Sequence, residues 1–226
     1  MHENKVELMG VYGSDETHAL SAWTSTSRAL SQKKRQRIPQ LLHMLMREGH
    51  HTPFEKSSLH FLVTTDIATH IHILKHRVGV SVNAESARYK ELGKRERRGK
   101  VIGTDKYYVP DDWTLAEQDE LRSWSAGAYD RYHEFVDKLV ARGVPRKRAK
   151  ESARYFLPYS TQITSDVMFN FRSFIHFQKL RNSEHAQKEV REVAQSMLQL
   201  VEETGLFPAT LEAMKTYVIG ENDGQG

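Results

Sequence analysis

Hydrophobic residues fall at helical spacing between residues 35 and 48. Ile38, Leu41, Leu42 and Leu45 occupy positions i, i+3, i+4 and i+7, and Gly49 ends the run. Residues 57–65 change to alternation, with Leu59, Phe61 and Val63 on one side, the period of a half-buried strand. Residues 5–13 read as a short strand ending at Gly13, and Ser14 with Thr17 downstream starts a helix. Residues 67–76 predict an apolar helix. A longer one is expected over roughly 114–142, capped by Asp111 or Asp112, with Leu121, Trp124, Ala128, Tyr132, Phe135 and Leu139 as its buried stripe. Gly143-Val144-Pro145 breaks it before a short basic helix through Arg154. A further helix ends at Arg181, and Ser183 is placed to cap a long one after it. Tyr107 to Pro110 read as a short strand, residues 90–106 as a charged loop, and the chain after Thr204 as a short amphipathic helix. Helices and strands are mixed, so the fold class is α+β, as one domain over 1–219 with a polar tail over 220–226 that is expected to be disordered.

Composition narrows the chemistry. The 226 residues include no cysteine, which excludes disulfides, thiolate metal sites and a cysteine nucleophile. No apolar run approaches the ~18–20 residues of a membrane span, and the N-terminus has neither the basic start nor the apolar core of a secretory signal. A cytoplasmic protein is expected. The net charge of +4 comes from 33 basic against 29 acidic residues, much of the excess in the runs 33–37 and 90–100. That pattern suits solvated helix and loop surface better than a duplex-binding stripe. A non-enzymatic nucleic-acid-binding domain is therefore a distant alternative.

The densest chemistry lies in KHRVGVSVNAESARY, residues 75–89. Lys75, His76 and Arg77 form a cationic cluster, Ser81 and Asn83 alternate as on a strand, and Ser86 and Arg88 alternate again. These polar groups stand among small and branched residues rather than among other charges. The array suits an anionic, heteroaromatic ligand, because Arg offers planar bidentate donors and Ser and Asn short directional bonds. His50 and His51, with no Cys and no ordered carboxylate beside them, make a poor metal site, and no metal is expected. In the second half Arg154 precedes Pro158 by four residues. Arg172 and His176 share a helical face at i and i+4, and Arg181 closes the helix.

The 75–89 stretch resembles the signature of the flavin-dependent thymidylate synthases: Arg-His-Arg, two spacers, Ser, spacer, Asn, Glu, spacer, Ser, spacer, Arg. It differs by Lys75 in the first place, one residue inserted before Ser81, and the acid at Glu85 rather than one place earlier. Residues 49–55, GHHTPFE, resemble the family's Gly-His-x-Thr/Ser-Pro-Phe-Glu element. Residues 154–190 follow its second half without a gap: Arg154 and Pro158, then Asn170-x-Arg172-Ser173, then Arg181 and His185-Ala186-Gln187-x-Glu189. His72 stands where the family has a nucleotide-contacting Gln.

The resemblance implies an α+β domain with a small antiparallel sheet and several long helices. The implied activity is reductive methylation of dUMP to dTMP with FAD, using NADPH and 5,10-methylenetetrahydrofolate as co-substrates, in a homotetramer with shared active sites. It assigns Arg181 to catalysis, polarising the pyrimidine. His72, Lys75, Glu85, Ser86, Arg88, Arg154 and Arg181 would contact the nucleotide. His50, Thr52, Lys75, His76, Arg77, Asn83, Asn170, Arg172 and His176 would contact the flavin. The implied alternative is a flavin- and folate-dependent enzyme that methylates or hydroxymethylates another pyrimidine nucleotide, dCMP or a modified dUMP.

Overall fold

The structure, a computed structural model, describes residues 3–97, 100–102 and 104–220. Its elements in chain order are β1 (Lys5–Tyr12), α1 (Asp15–Trp23), α2 (Gln32–Gln36), α3 (Ile38–Arg47), β2 (Ser58–Asp66), α4 (Ile67–Leu74), β3 (Val80–Ala84), β4 (Arg95–Arg97), β5 (Lys100–Ile102), α5 (Leu115–Ala141), α6 (Arg146–Ala153), β6 (Gln162–Asn170), α7 (Phe171–Arg181), α8 (Lys188–Glu203) and α9 (Pro208–Met214). Four strands form one sheet in the order β1-β2-β6-β3, and β4 pairs antiparallel with β5. The fold is α+β.

Cα packing resolves two compact units. Of the described residues, those within 3–5, 64–71 and 84–165 form one, and those within 6–63, 72–83 and 166–220 form the other. The second unit owns the larger core. Leu59, Phe61 and Val63 of β2 and Val167 and Phe169 of β6 point to one side of the sheet. They meet Leu42, Leu45 and Met46 of α3, Phe174 and Phe177 of α7, and Val193, Met197 and Val201 of α8. Burial of each such side chain contributes about 1.5–3 kcal/mol, so this aromatic-rich layer fixes where α7 sits. His18 is fully buried in it. Its Nδ1 lies 3.0 Å from the Thr210 hydroxyl and its Nε2 2.8 Å from the Ser57 hydroxyl, while Phe54, Phe171 and Phe207 surround the ring. Burial pushes its pKa down to about 4. The first unit has two smaller clusters, Leu92, Tyr107, Val109 and Tyr129, and Tyr132, Val136, Ala149 and Ala153.

Several expectations change. α5 is capped by Thr114, not Asp111 or Asp112. The Thr114 side chain accepts from the Glu117 N–H while the Glu117 carboxylate accepts from the Thr114 N–H, a reciprocal cap that outcompetes a lone Asp. Its buried face carries Tyr129, Tyr132 and Val136, and Trp124 is 60% exposed. The segment at Ser183 is a turn, its hydroxyl accepting from the His185 N–H, and α8 starts after Gln187. Tyr107 makes only an isolated bridge to Thr161, not a strand. The charged loop contains the β4–β5 pair, and the helix expected from Arg35 is two, α2 and α3, meeting at Arg37. The tail beyond residue 220 lies outside the described residues.

Candidate functional site

The loop after α4 is built against the start of α7, both in the second unit. The His76 N–H closes the turn onto the Ile73 carbonyl at 3.0 Å. Gly79 then turns with φ +66°, the left-handed region that favours glycine. Its carbonyl accepts from the Asn170 N–H at 3.0 Å, and the Val78 carbonyl accepts from the Ser173 hydroxyl at 2.5 Å. Asn170 is also the N-cap of α7, its Oδ1 accepting from the Ser173 N–H at 2.8 Å. A Cβ on Gly79 would sit 2.3 Å from both Asn170 Nδ2 and Ser173 Oγ. The loop therefore reads as a plug: glycine is the one residue that lets its backbone reach the helix cap.

That docking opens a cavity of about 820 Å³. From the signature it takes Lys75, His76 and Arg77. From the second-half block it takes Asn170, Arg172, His176 and Arg181. Arg47 and Lys179 join them, so six cations line it against one acid, Glu55, an excess of five charges. Arg172 donates to Glu55 at 2.5 Å, and Arg47 donates to Glu48 at 2.9 Å. Lys75, Arg77 and Lys179 have no partner among the described residues. A concave, cationic wall of this kind concentrates phosphate-bearing ligands.

Burial and charge fix one proton position. Arg181 Nε donates to His76 Nε2 at 3.0 Å. A guanidinium keeps its charge, so Nε2 must carry the lone pair and the imidazole proton must reside on Nδ1. Burial, and after it the neighbouring Arg181 charge and the His176 ring, pushes the His76 pKa down to about 4. The ring is further held edge-on by Phe177, with centroids 4.9 Å apart. His76 is thus a neutral strut that aims Arg181. The terminal amino groups of Arg181 remain without a partner among the described residues, although burial lowers its own pKa.

The other expected residues are not among those lining this cavity. His50 and Thr52 are exposed in the turn after α3, and the neighbouring His51 lines the cavity instead. His51 Nδ1 is buried with no hydrogen-bond partner; burial, Arg172 and His50 lower its pKa. His72 Nε2 lies 3.1 Å from Gln187 Oε1, and Asn83 is exposed on β3. In the first unit Glu85 accepts from Lys90 and from the Thr164 N–H at 3.0 Å; burial raises its pKa, but these bonds outweigh burial and draw it down. Arg88 pairs with Glu151 at 2.6 Å, the Ser86 hydroxyl accepts from the Arg88 N–H, and Arg154 lies over the Tyr155 ring at 5.8 Å.

A sequence model described as "Thymidylate synthase complementing protein" matches residues 7–208. The chain belongs to the flavin-dependent thymidylate synthase family. It is therefore an enzyme, a flavin-dependent methyltransferase by family. Flavin-dependent thymidylate synthases of Streptomyces avermitilis and Tropheryma whipplei are each 30% identical to it. They cover 90% and 95% of this chain, over 86% and 93% of their own lengths. The crystal structure of a UMP/dUMP methylase, PolB from Streptomyces cacaoi, bound with 5-Br UMP, superposes with a TM-score of 0.74. It is 28% identical, and the match covers 97% of this chain and 96% of that one.

The wall fits the flavin that the family name implies. Lys75, Arg77 and Arg172 offer cations for phosphates, and Asn170, Ser173 and the His176–His76 ring pair offer polar edges. The orphaned His51 Nδ1 is a polar atom that the described residues leave unmatched. Glu55 and His51 were within the GHHTPFE element, so a signal existed for them. Arg47, Lys179 and Tyr217 also line the cavity, and no motif marked them.

Proposed function

We propose that this protein methylates C5 of dUMP to give dTMP, with methylenetetrahydrofolate as carbon donor and NADPH as reductant. The observation that carries this reading is the cavity in which six cations and the His76–Arg181 strut converge, in a chain of this family. FAD, when bound, supplies the hydride chemistry. The chain itself has no cysteine to add to C6, so its contribution is binding, orientation and electrostatics.

Arg181 is the catalytic residue of the proposal. A preorganised guanidinium beside a pyrimidine carbonyl stabilises the anion that develops when N3 loses its proton. His76 holds that guanidinium without competing for a proton, since it is neutral at pH 7. Lys75, Arg77, Asn170, Arg172 and His176 are assigned to flavin. Lys75 retains the charge of the family's arginine but lacks its planar fork. Ser86, Arg88 and Arg154 are assigned to the nucleotide from the motif, with assembly as a homotetramer that shares its sites.

A second reading, methylation of another pyrimidine nucleotide such as UMP, is favoured by His72 in place of the family's Gln and by the likeness to a UMP/dUMP methylase. Incubating the purified chain with FAD, NADPH and methylenetetrahydrofolate, and with dUMP, UMP or dCMP in turn, tests both. The 5-methyl product from dUMP supports the first; product from UMP or dCMP alone supports the second. A hydroxymethyl product overturns the methylation itself.

A further inference from the structure

The cavity has a wall that no motif accounts for. The turn Lys215–Ile219, which follows α9 in wide i→i+5 winding, brings Tyr217 and Val218 to it. Such single wide turns are frequent at functional sites. This segment lies beyond residues 7–208, the stretch matched by the family's sequence model. Tyr217 is the sole Phe, Tyr or Trp ring among the described lining residues; apart from Glu55 the rest of the wall is cationic, imidazole, small polar or aliphatic. Cations and amides can bind the phosphates and edges of a flavin nucleotide, but its planar rings need an apolar or aromatic face.

The Tyr217 ring is also held in place. His43 meets it edge-on, with centroids 5.7 Å apart and planes at 82°, and Arg47, held by Glu48 at 2.9 Å, lines the same cavity. Met46, one residue before Arg47, lines it too. A ring packed edge-on against a neighbour is partly preorganised, so less side-chain freedom is lost when a ligand packs on it.

We infer that Tyr217 is a positioning residue of this enzyme, forming with Val218 and Met46 the face against which a planar ring of the bound flavin nucleotide packs. The inference rests on the flavin reading above and adds to it a residue from the C-terminal turn.

The test is titration of the full-length, flavin-stripped protein with FAD, following flavin fluorescence, for wild type, Tyr217→Phe and Tyr217→Ala. A tyrosine in contact with a flavin quenches its emission by electron donation, whereas phenylalanine does not. Tyr217→Ala is expected to weaken FAD binding roughly 3- to 10-fold and to brighten the bound flavin. Tyr217→Phe is expected to restore affinity but not quenching, a pattern that a merely structural role would not produce. Should Tyr217→Ala fail to fold, the fluorescence of Tyr217→Phe alone decides. Wild-type affinity and quenching in the folded variants would overturn the inference while leaving the flavin reading intact. A wild-type protein that takes up no FAD would overturn both.

Discussion

The signature residues divide between two regions with opposite electrostatic habits. In the second unit Lys75 and Arg77 face a cavity with no carboxylate partner among the described residues, and the Arg181 of the second-half block is aimed by a neutral histidine rather than neutralised by an acid. In the first unit Glu85 is bound to Lys90 and the Thr164 N–H, and Arg88 is paired with Glu151. The same motif thus contains groups kept open for a ligand and groups already spent on local structure. A sequence pattern records residue identity; only the packing shows which charges remain unmatched, and unmatched charge is what a phosphate-bearing ligand can use.

The sharpest way to break this contrast is Gly79→Ala. The new methyl would clash with the α7 cap at 2.3 Å while the backbone stays in the left-handed region. The expected cost is about 2–3 kcal/mol of stability, together with loss of flavin binding, measured by urea unfolding and FAD titration. An unchanged midpoint would mean that the loop is not docked on that cap. Next in size, Arg181→Ala should lower turnover by about 10²–10³-fold while FAD uptake persists; a change of less than threefold would remove Arg181 from the catalytic role.

A smaller effect follows from pH. His76 and His18 are both held at about 4 in the folded protein against 6.5 for a free imidazole. Between those values the unfolded chain binds more protons than the folded one, so their contribution is complete above pH 6.5 and declines progressively as pH falls towards 4. The urea midpoint should therefore drop from pH 7.5 to 5, and a flat profile would contradict the buried neutral state. His76→Gln should make the slope shallower. The smallest effect is expected for Arg88→Ala. Its side chain is 51% exposed, and an ion pair of that kind contributes about 0–1 kcal/mol. A loss of dUMP affinity without loss of stability would show that Arg88 can leave Glu151 for the nucleotide.

Much of this arrangement was legible along the chain, and the exceptions have physical causes. β2 and α3 were plain because Leu59, Phe61 and Val63, and Leu42 and Leu45, keep their periods with apolar residues. β6 was not, because Gln162 and Ser165 are buried along with Val167 and Phe169, and buried polar residues hide the alternation. β4 is wholly charged and β5 has only three residues, too short for an alternation to show. In the site, the residues that motifs name at element junctions, Asn170, Arg172 and Arg181, met in one cavity. Tyr217 and Lys179 reached it through tertiary packing of a segment and a helix face that carry no local signal.

The visible absorption spectrum of the purified protein, before and after anaerobic addition of NADPH, decides whether the cationic cavity holds a redox-active flavin. Flavin bands, present as isolated or after incubation with FAD, are expected to bleach on reduction. A colourless protein that takes up no added FAD would contradict the flavin reading.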